Sequence, residues 1–188
     1  AFHWRDKLVI RQTAKGYFSQ QEIEKYEKMN FGKHVHNILS RIKHARELQD
    51  ALDELVLEGL ISINEKTSLH TQLEELFEIP KVSEWFNTTW EVLTEIPILL
   101  PDGSENRIDR LLIRDKKAII IDFKTGDPSK SDQTQVLAYI DILRKMNFVE
   151  VEGYLLYIKQ KQVASVTTGK VKESRRKELP LDFNEKPL

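Results

Sequence analysis

The chain has 188 residues, of which 40% are hydrophobic and 31% are charged, and its formal net charge is −1 at pH 7. This length fits one domain with short extensions, and the apolar content is sufficient for a core. No apolar run reaches the ~18 residues that a membrane-spanning helix needs, so we expect no membrane partner. The absence of cysteine excludes an iron–sulfur cluster held by cysteines.

Charge is distributed unevenly along the chain. Between Glu47 and Glu78 there are nine acidic residues and one lysine, whereas between Lys159 and Lys177 there are seven basic residues and one glutamate. The acidic stretch disfavours direct DNA contact by that region. The basic stretch can contact phosphates, but a solvated tail is an equally good interpretation.

Helices are predicted to dominate the N-terminal half. Residues 1–30 are interpreted as a tether followed by a helix that opens at the capping box from Ser19 to Glu22. A second helix is predicted over 31–46, because apolar residues recur there at helical spacing. Residues from about 47 to 88 are interpreted as a helical insert with two acidic helices and a short third one.

Strands are predicted to dominate the second half. The elements are strands over 90–100, 107–114 and 118–124, a helix from about 130 to 146, and strands over 151–158 and 163–167. Pro97 places the first strand at an edge or a bulge, and the three isoleucines from Ile119 suit a central strand covered on both faces. Periodicity alone therefore indicates a mixed α/β or α+β domain over 31–168, followed by a basic and then disordered tail over 169–188.

Residues with catalytic chemistry concentrate on two neighbouring strands. Asp122 and Lys124 are two residues apart, so they share a face of their strand. A hairpin turn at Asp115 and Lys116 is expected to place Asp109 beside Asp122. Two carboxylates and a lysine at one end of a sheet suit a hard divalent cation, with an ammonium beside the substrate. The alternative interpretation is a salt-bridge cluster at the strand ends.

Five short motifs occur in order along the chain. They are Gly32-x-x-x-His36, Glu95, Asn106-x-x-Asp109, Asp122-Phe123-Lys124-Thr125-Gly126 and Gln135-x-x-x-Tyr139. In this order they resemble the PD-(D/E)XK nucleases, and more closely the RecB- and AddA-like nuclease domains at the C-terminus of UvrD-like helicase-nucleases. The resemblance implies a central mixed sheet flanked by helices. Asn106 stands where the family usually has glycine, and because asparagine tolerates left-handed backbone angles we expect a turn to be kept there.

The resemblance implies a metal site. Asp109 and Asp122 would be catalytic ligands, and the Phe123 carbonyl and His36 would complete a site for Mg²⁺ or Mn²⁺. A histidine ligand shifts the preference somewhat towards Mn²⁺. His34 is two residues from His36, so on a helix it points elsewhere. Without the motif, His36 would be interpreted as a half-buried packing residue.

The remaining motif residues are expected to act on water and on the substrate. Lys124 would orient or deprotonate the water, or stabilise developing charge, and these roles stay open. Glu95 would be catalytic by holding water or a second metal ion, although an exposed strand carboxylate is nearly as good an interpretation. Gln135 and Tyr139 would line the site and contact DNA. Without the motif they would be a helix-surface glutamine and a core tyrosine.

The expected function is that of a metal-dependent deoxyribonuclease, the exonuclease module of a helicase-nuclease in DNA double-strand-break repair and recombination. The expected partners are DNA, single-stranded or at unwound ends, and a helicase motor in the same chain or complex. The expected location is the bacterial cytoplasm, at the nucleoid. Two alternatives stay open: a nuclease-fold domain that binds DNA or a partner without cutting, and a structural module of a larger complex.

Overall fold

Helices precede a five-stranded sheet in the computed structural model, which describes residues 20–99, 103 and 105–167. The elements are α1 (Gln20–Arg41), α2 (Leu48–Leu57), α3 (Ile63–Phe77), α4 (Pro80–Phe86), β1 (Glu91–Leu99), β2 (Glu105–Arg114), β3 (Lys117–Lys124), α5 (Lys130–Lys145), β4 (Glu150–Tyr157) and β5 (Gln162–Val166). The predicted tether and its capping box at Ser19, together with the tail over 169–188, lie outside the described residues. None of the described helices is long and apolar enough to cross a membrane.

The first helix differs from the prediction. Instead of two helices over 20–46, one helix runs from Gln20 to Arg41, and a short 3₁₀ turn follows at Ala45–Glu47. The helix continues through Gly32 although glycine is a poor helix former. A Cβ at this position would lie 2.8 Å from Oγ1 of Thr125, which directly follows β3, so the close approach of the two segments requires a residue without a side chain. It ends early because the carbonyls of Ile42 and Lys43 accept hydrogen bonds from a side chain of β2.

The predicted acidic helices form as α2 and α3. Ser62 caps α3 through a capping box, in which its hydroxyl accepts from the Glu65 amide at 3.2 Å and the Glu65 carboxylate accepts from the Ser62 amide at 2.8 Å. Two hydrogen bonds of 2.7 Å join the guanidinium of Arg41 to the carboxylate of Glu58. This bidentate pair holds α2 against the end of α1.

The sheet is mixed, as predicted. Its strands lie in chain order, β1 to β5, and every neighbouring pair is antiparallel except β3 and β4, which are parallel with α5 as their crossover. Arg114 pairs with Lys117, which confirms the predicted hairpin turn at Asp115 and Lys116. Pro97 lies on β1, at an edge of the sheet as predicted.

Both faces of the central strand β3 are covered. Ile121 and Phe123 belong to one core cluster with residues of α1 to α4, whereas Ala118 and Ile120 belong to a second cluster with α5. This arrangement confirms the interpretation of the isoleucine run as a strand buried on both sides. The end of β3 therefore lies between α1 and α5, and the candidate site lies at that end.

Candidate active site

A local irregularity between β1 and β2 shapes the first part of the site. Strand pairing skips one position, since Thr94 pairs with Arg110 and Ile96 pairs with Ile108. Glu95 fills the gap on β1 with a left-handed backbone (φ 56°), opposite Asp109 on β2. A left-handed non-glycine residue costs of the order of 1 kcal/mol, and such residues cluster at functional sites.

The expected turn at Asn106 is wrong. Asn106 is a strand residue of β2 that pairs with Ile98, and its backbone is not among the described residues with positive φ. The left-handed position lies instead across the ladder, at Glu95. The strain at this end of the site is therefore carried by β1, where no glycine or asparagine marks it in the sequence.

Backbone pairing between β2 and β3 stops next to Asp109. The last pair joins Arg110 to Ile121, and at the following position the carboxylate of Asp109 accepts a hydrogen bond of 2.8 Å from the Phe123 amide. Asp109 is thereby oriented by the backbone of β3 and lies beside Asp122. The predicted metal-binding role of the Phe123 carbonyl stays a prediction.

Three side chains converge at this point. His36 of α1, Glu95 of β1 and Asp109 of β2 each offer a ligand atom, and these atoms all lie within 4.8 Å of one another. His36 Nδ1 is 3.5 Å from Asp109 Oδ1. Burial lowers the pKa of His36, but the hydrogen bond and negative charge of Asp109 outweigh it, and the net pKa is raised. One imidazole and two carboxylates form a donor set that fits a divalent cation.

Asp122 lies next to this cluster but is paired with Lys124. The side chain of Asp122 is 2% exposed, and Lys124 Nζ lies 2.7 Å from its Oδ2. Burial, followed by the negative charge of Asp109, raises the pKa of Asp122 to about 6. The carboxylate is therefore held at an energetic cost, as is common for catalytic carboxyl groups.

Lys124 also contacts α5. Its Nζ donates to Gln135 Oε1 at 3.0 Å, and Gln135 Nε2 donates to the Tyr139 hydroxyl at 2.7 Å. That hydroxyl donates in turn to the Arg107 carbonyl at 3.1 Å. Tyr139 is fully buried, with 0% exposure, so the predicted contact between Tyr139 and DNA does not fit its position. Burial raises the pKa of Tyr139, which keeps the phenol protonated.

An open cleft of about 670 Å³ leads to the cluster of three ligands. Its lining consists of Met29, Gly32, Lys33, His36, Asn37, Ser40, Glu95, Arg107 and Thr125. Arg107 forms an ion pair with Glu95 (Nε–Oε2 2.5 Å) and is 60% exposed. Sequence reasoning missed Lys33 and Arg107 as candidates, although Arg107 lies within the Asn106-x-x-Asp109 motif and that position was a usable signal.

Sequence reasoning also missed Arg110, a buried residue next to Asp109 on β2 that stabilises the packing around the site. Its guanidinium is 0% exposed, lies 3.9 Å from the Phe86 ring centre and donates to the carbonyls of Ile42, Lys43 and Trp85. These carbonyls follow α1 or lie in the last turn of α4, so Arg110 joins both helices to the strand that carries Asp109. Burial lowers the pKa of Arg110 to about 10. The available signal was a charged residue between Ile108 and Leu112, two apolar positions on the same face of a predicted strand.

Comparison with known proteins supplies the family. The profile of the PD-(D/E)XK nuclease superfamily matches residues 2–185, nearly the whole chain. A search of the curated proteins found no match. Members of this superfamily are nucleases that generally use divalent metal ions to hydrolyse phosphodiester bonds, and the donor set of His36, Glu95 and Asp109 suits such an ion. The chain belongs to the PD-(D/E)XK nuclease superfamily.

Proposed function

We propose that this protein is a metal-dependent deoxyribonuclease whose active centre is the cluster of His36, Glu95 and Asp109 together with Asp122 and Lys124. The proposal rests on the convergence of these side chains from different helices and strands at one place. Three ligand atoms from α1, β1 and β2 lie within 4.8 Å of one another, beside a buried carboxylate paired with an ammonium at the end of β3.

His36, Glu95 and Asp109 would hold Mg²⁺ or Mn²⁺, and Asp122 and the Phe123 carbonyl are the further candidate ligands. When bound, such an ion lowers the pKa of a bound water and stabilises negative charge on the phosphate oxygens. The Phe123 amide orients Asp109 through its hydrogen bond of 2.8 Å.

The cationic groups of the chain would act on the phosphate. Lys124, at 23% side-chain exposure, is accessible from the site and carries an ammonium that can stabilise developing charge or orient water. Burial lowers the pKa of Lys124, but the charges of Asp122 and Asp109 outweigh it, and the net pKa is raised. Lys33 and Arg107 line the cleft, where they would contact phosphates next to the scissile one.

The proposed substrate is a single strand or an unwound end of DNA. A net charge of −1 predicts weak phosphate binding by the chain alone, because non-specific DNA affinity comes mainly from phosphate neutralisation. A helicase motor in the same chain or complex would raise the local strand concentration without new contacts here. This is the proposed role in double-strand-break repair and recombination, with a proposed location in the bacterial cytoplasm at the nucleoid.

The first test separates His36 from His34, which lies on the same helix and serves as the matched control. We expect cleavage of a fluorogenic single-stranded DNA in Mn²⁺ or Mg²⁺ and none with a chelator. His36→Ala should weaken Mn²⁺ binding by at least about 10-fold in a calorimetric titration, because loss of a residue that only supports a metal ligand already costs about 10- to 100-fold, whereas His34→Ala should leave the affinity unchanged. Equal losses in the two variants, or cleavage that persists with the chelator, would contradict the proposed centre.

The second test concerns the mode of cleavage. An exonuclease needs an end, so we expect linear single-stranded DNA to be degraded and a covalently closed circle of the same sequence to stay intact. Cutting of the circle would show endonuclease action and leave the metal centre in place. Asp122→Ala serves as the inactive reference in both substrates.

A further inference from the structure

A chain of hydrogen bonds runs from the backbone of β2 to the ammonium of Lys124. It passes from the Arg107 carbonyl to the Tyr139 hydroxyl, the Gln135 amide and Lys124 Nζ, over distances of 3.1, 2.7 and 3.0 Å. All three lengths are normal for hydrogen bonds. The chain links β2, α5 and β3, so it spans the sheet end that carries Asp109 and Asp122.

The direction of the chain follows from its donors and acceptors. A phenol has one hydrogen, and the Tyr139 hydroxyl uses it on the Arg107 carbonyl, which can only accept. The hydroxyl must then accept from Gln135, so the amide NH₂ of Gln135 faces Tyr139 and its carbonyl oxygen faces Lys124. The ammonium of Lys124 can only donate, so it requires the same orientation of the Gln135 amide, and Tyr139 reinforces that orientation from the other end.

Packing keeps this arrangement in place. Tyr139 is fully buried and shares a core cluster with Val136 and Ile140 of the same helix and with Ile120 of β3. A buried side chain with its hydroxyl paired on both sides has little freedom to move towards a bound strand. Lys124 is held between Gln135 Oε1 on one side and Asp122 Oδ2 on the other.

We infer that Gln135 and Tyr139 are positioning residues that hold the ammonium of Lys124, and that neither binds DNA. The inference rests on the proposed nuclease function for its kinetic consequences. Loss of a positioning residue lowers kcat and leaves KM and metal affinity nearly unchanged, whereas loss of a DNA contact raises KM. The two roles are therefore separable by kinetics.

The kinetic experiment uses Gln135→Ala, Tyr139→Phe and two matched controls. Gln133→Ala changes an exposed glutamine of the same helix, and Tyr157→Phe removes a hydroxyl from another buried tyrosine, which donates to Asp132 at 3.1 Å. We expect kcat to fall about 10- to 100-fold in Gln135→Ala, because misplaced catalytic groups cost about that much. Tyr139→Phe should show a smaller loss, and the controls should show none.

The double variant Gln135→Ala/Tyr139→Phe tests the order of the chain. Because Tyr139 acts through Gln135, the double variant should be no slower than Gln135→Ala alone. Multiplied losses would indicate two independent roles and overturn the inference, as would a raised KM with unchanged kcat in Gln135→Ala.

A second measurement does not depend on cleavage. A hydrogen-bonded lysine ammonium gives a slowly exchanging proton–nitrogen signal in NMR spectra, and Lys124→Met assigns it. We expect the signal in wild-type and Tyr157→Phe protein, weakened in Tyr139→Phe and weakened further in Gln135→Ala, where Asp122 is the remaining partner, all without metal. An unchanged signal in Gln135→Ala would overturn the inference. If the variants show this pattern of signals but the wild-type protein does not cut DNA, the proposed function is refuted and the positioning role of Gln135 and Tyr139 is kept.

Discussion

The cost of the buried carboxylate in the site can be measured by replacing Asp122 with asparagine. This substitution keeps the shape of the side chain and removes its charge. The side chain is 2% exposed, and burial together with the charge of Asp109 raises its pKa from 3.8 to about 6, although Lys124 and His36 act in the opposite direction. The folded protein therefore holds the Asp122 proton more tightly than the unfolded chain does.

The size of the effect follows from that difference. A shift of about two pKa units corresponds to about 3 kcal/mol, because each unit is worth about 1.4 kcal/mol. The free energy of unfolding of the wild-type protein should fall by about this amount as the pH rises from about 4 to beyond about 6, because ionisation of Asp122 is disfavoured in the folded state. The Asp122→Asn protein carries no such charge. It should exceed wild type in stability by up to about 3 kcal/mol at about pH 8, and the two proteins should be equally stable only well below pH 3.8, the pKa of the carboxyl in the unfolded chain.

The assay is urea unfolding across this pH range, with a chelator present. Asp141→Asn is the matched control, because Asp141 is exposed on α5 and its loss should not reproduce the pH-dependent difference. Mn²⁺ should stabilise wild type more than Asp122→Asn, because ligand binding stabilises the state that binds it, and the variant should not cut DNA. If Asp122→Asn is less stable than wild type at about pH 8, the carboxylate is well compensated and the reasoning is refuted.

Three further substitutions test the support of the site and the cleft. Gly32→Ala should destabilise the fold by about 1–3 kcal/mol in urea unfolding, because its Cβ would lie 2.8 Å from Thr125 Oγ1, and Thr125→Ala in the same chain should restore much of the loss. Arg110→Met should lower the free energy of unfolding by about 3–5 kcal/mol, because it leaves three carbonyls without their donor, and Arg110→Lys should lower it less. An Arg110→Met protein as stable as wild type would contradict the assigned role. Arg107→Ala should raise KM for DNA in otherwise wild-type protein. In Asp122→Ala protein, which binds DNA without cutting it, Arg107→Ala should reduce the slope of log affinity against log salt by about 1, and an unchanged slope would exclude a phosphate contact.

Local sequence patterns determined most of the helices and strands of this protein, although they divided α1 into two helices. A period of two places Asp122 and Lys124 on one face of β3. The capping boxes at Ser62 and Ser129 each form between residues three apart in the sequence. The hairpin turn at Asp115 followed from two adjacent strand patterns. These features depend on residues close in sequence, so one sequence is enough to predict them.

Contacts between distant parts of the chain decided the rest. Glu95 adopts a left-handed backbone where pairing with β2 is interrupted at Asp109. Pro97 indicated an edge or a bulge on this strand, but it did not indicate which residue would take the left-handed backbone. The burial of Tyr139, on which its inferred positioning role rests, depends on how α5 packs on the sheet. Arg110 finds its partners in residues far away along the chain, at the ends of α1 and α4. Sequence periodicity identifies which face of an element is apolar, but only the packing of elements decides which polar groups meet beneath that face.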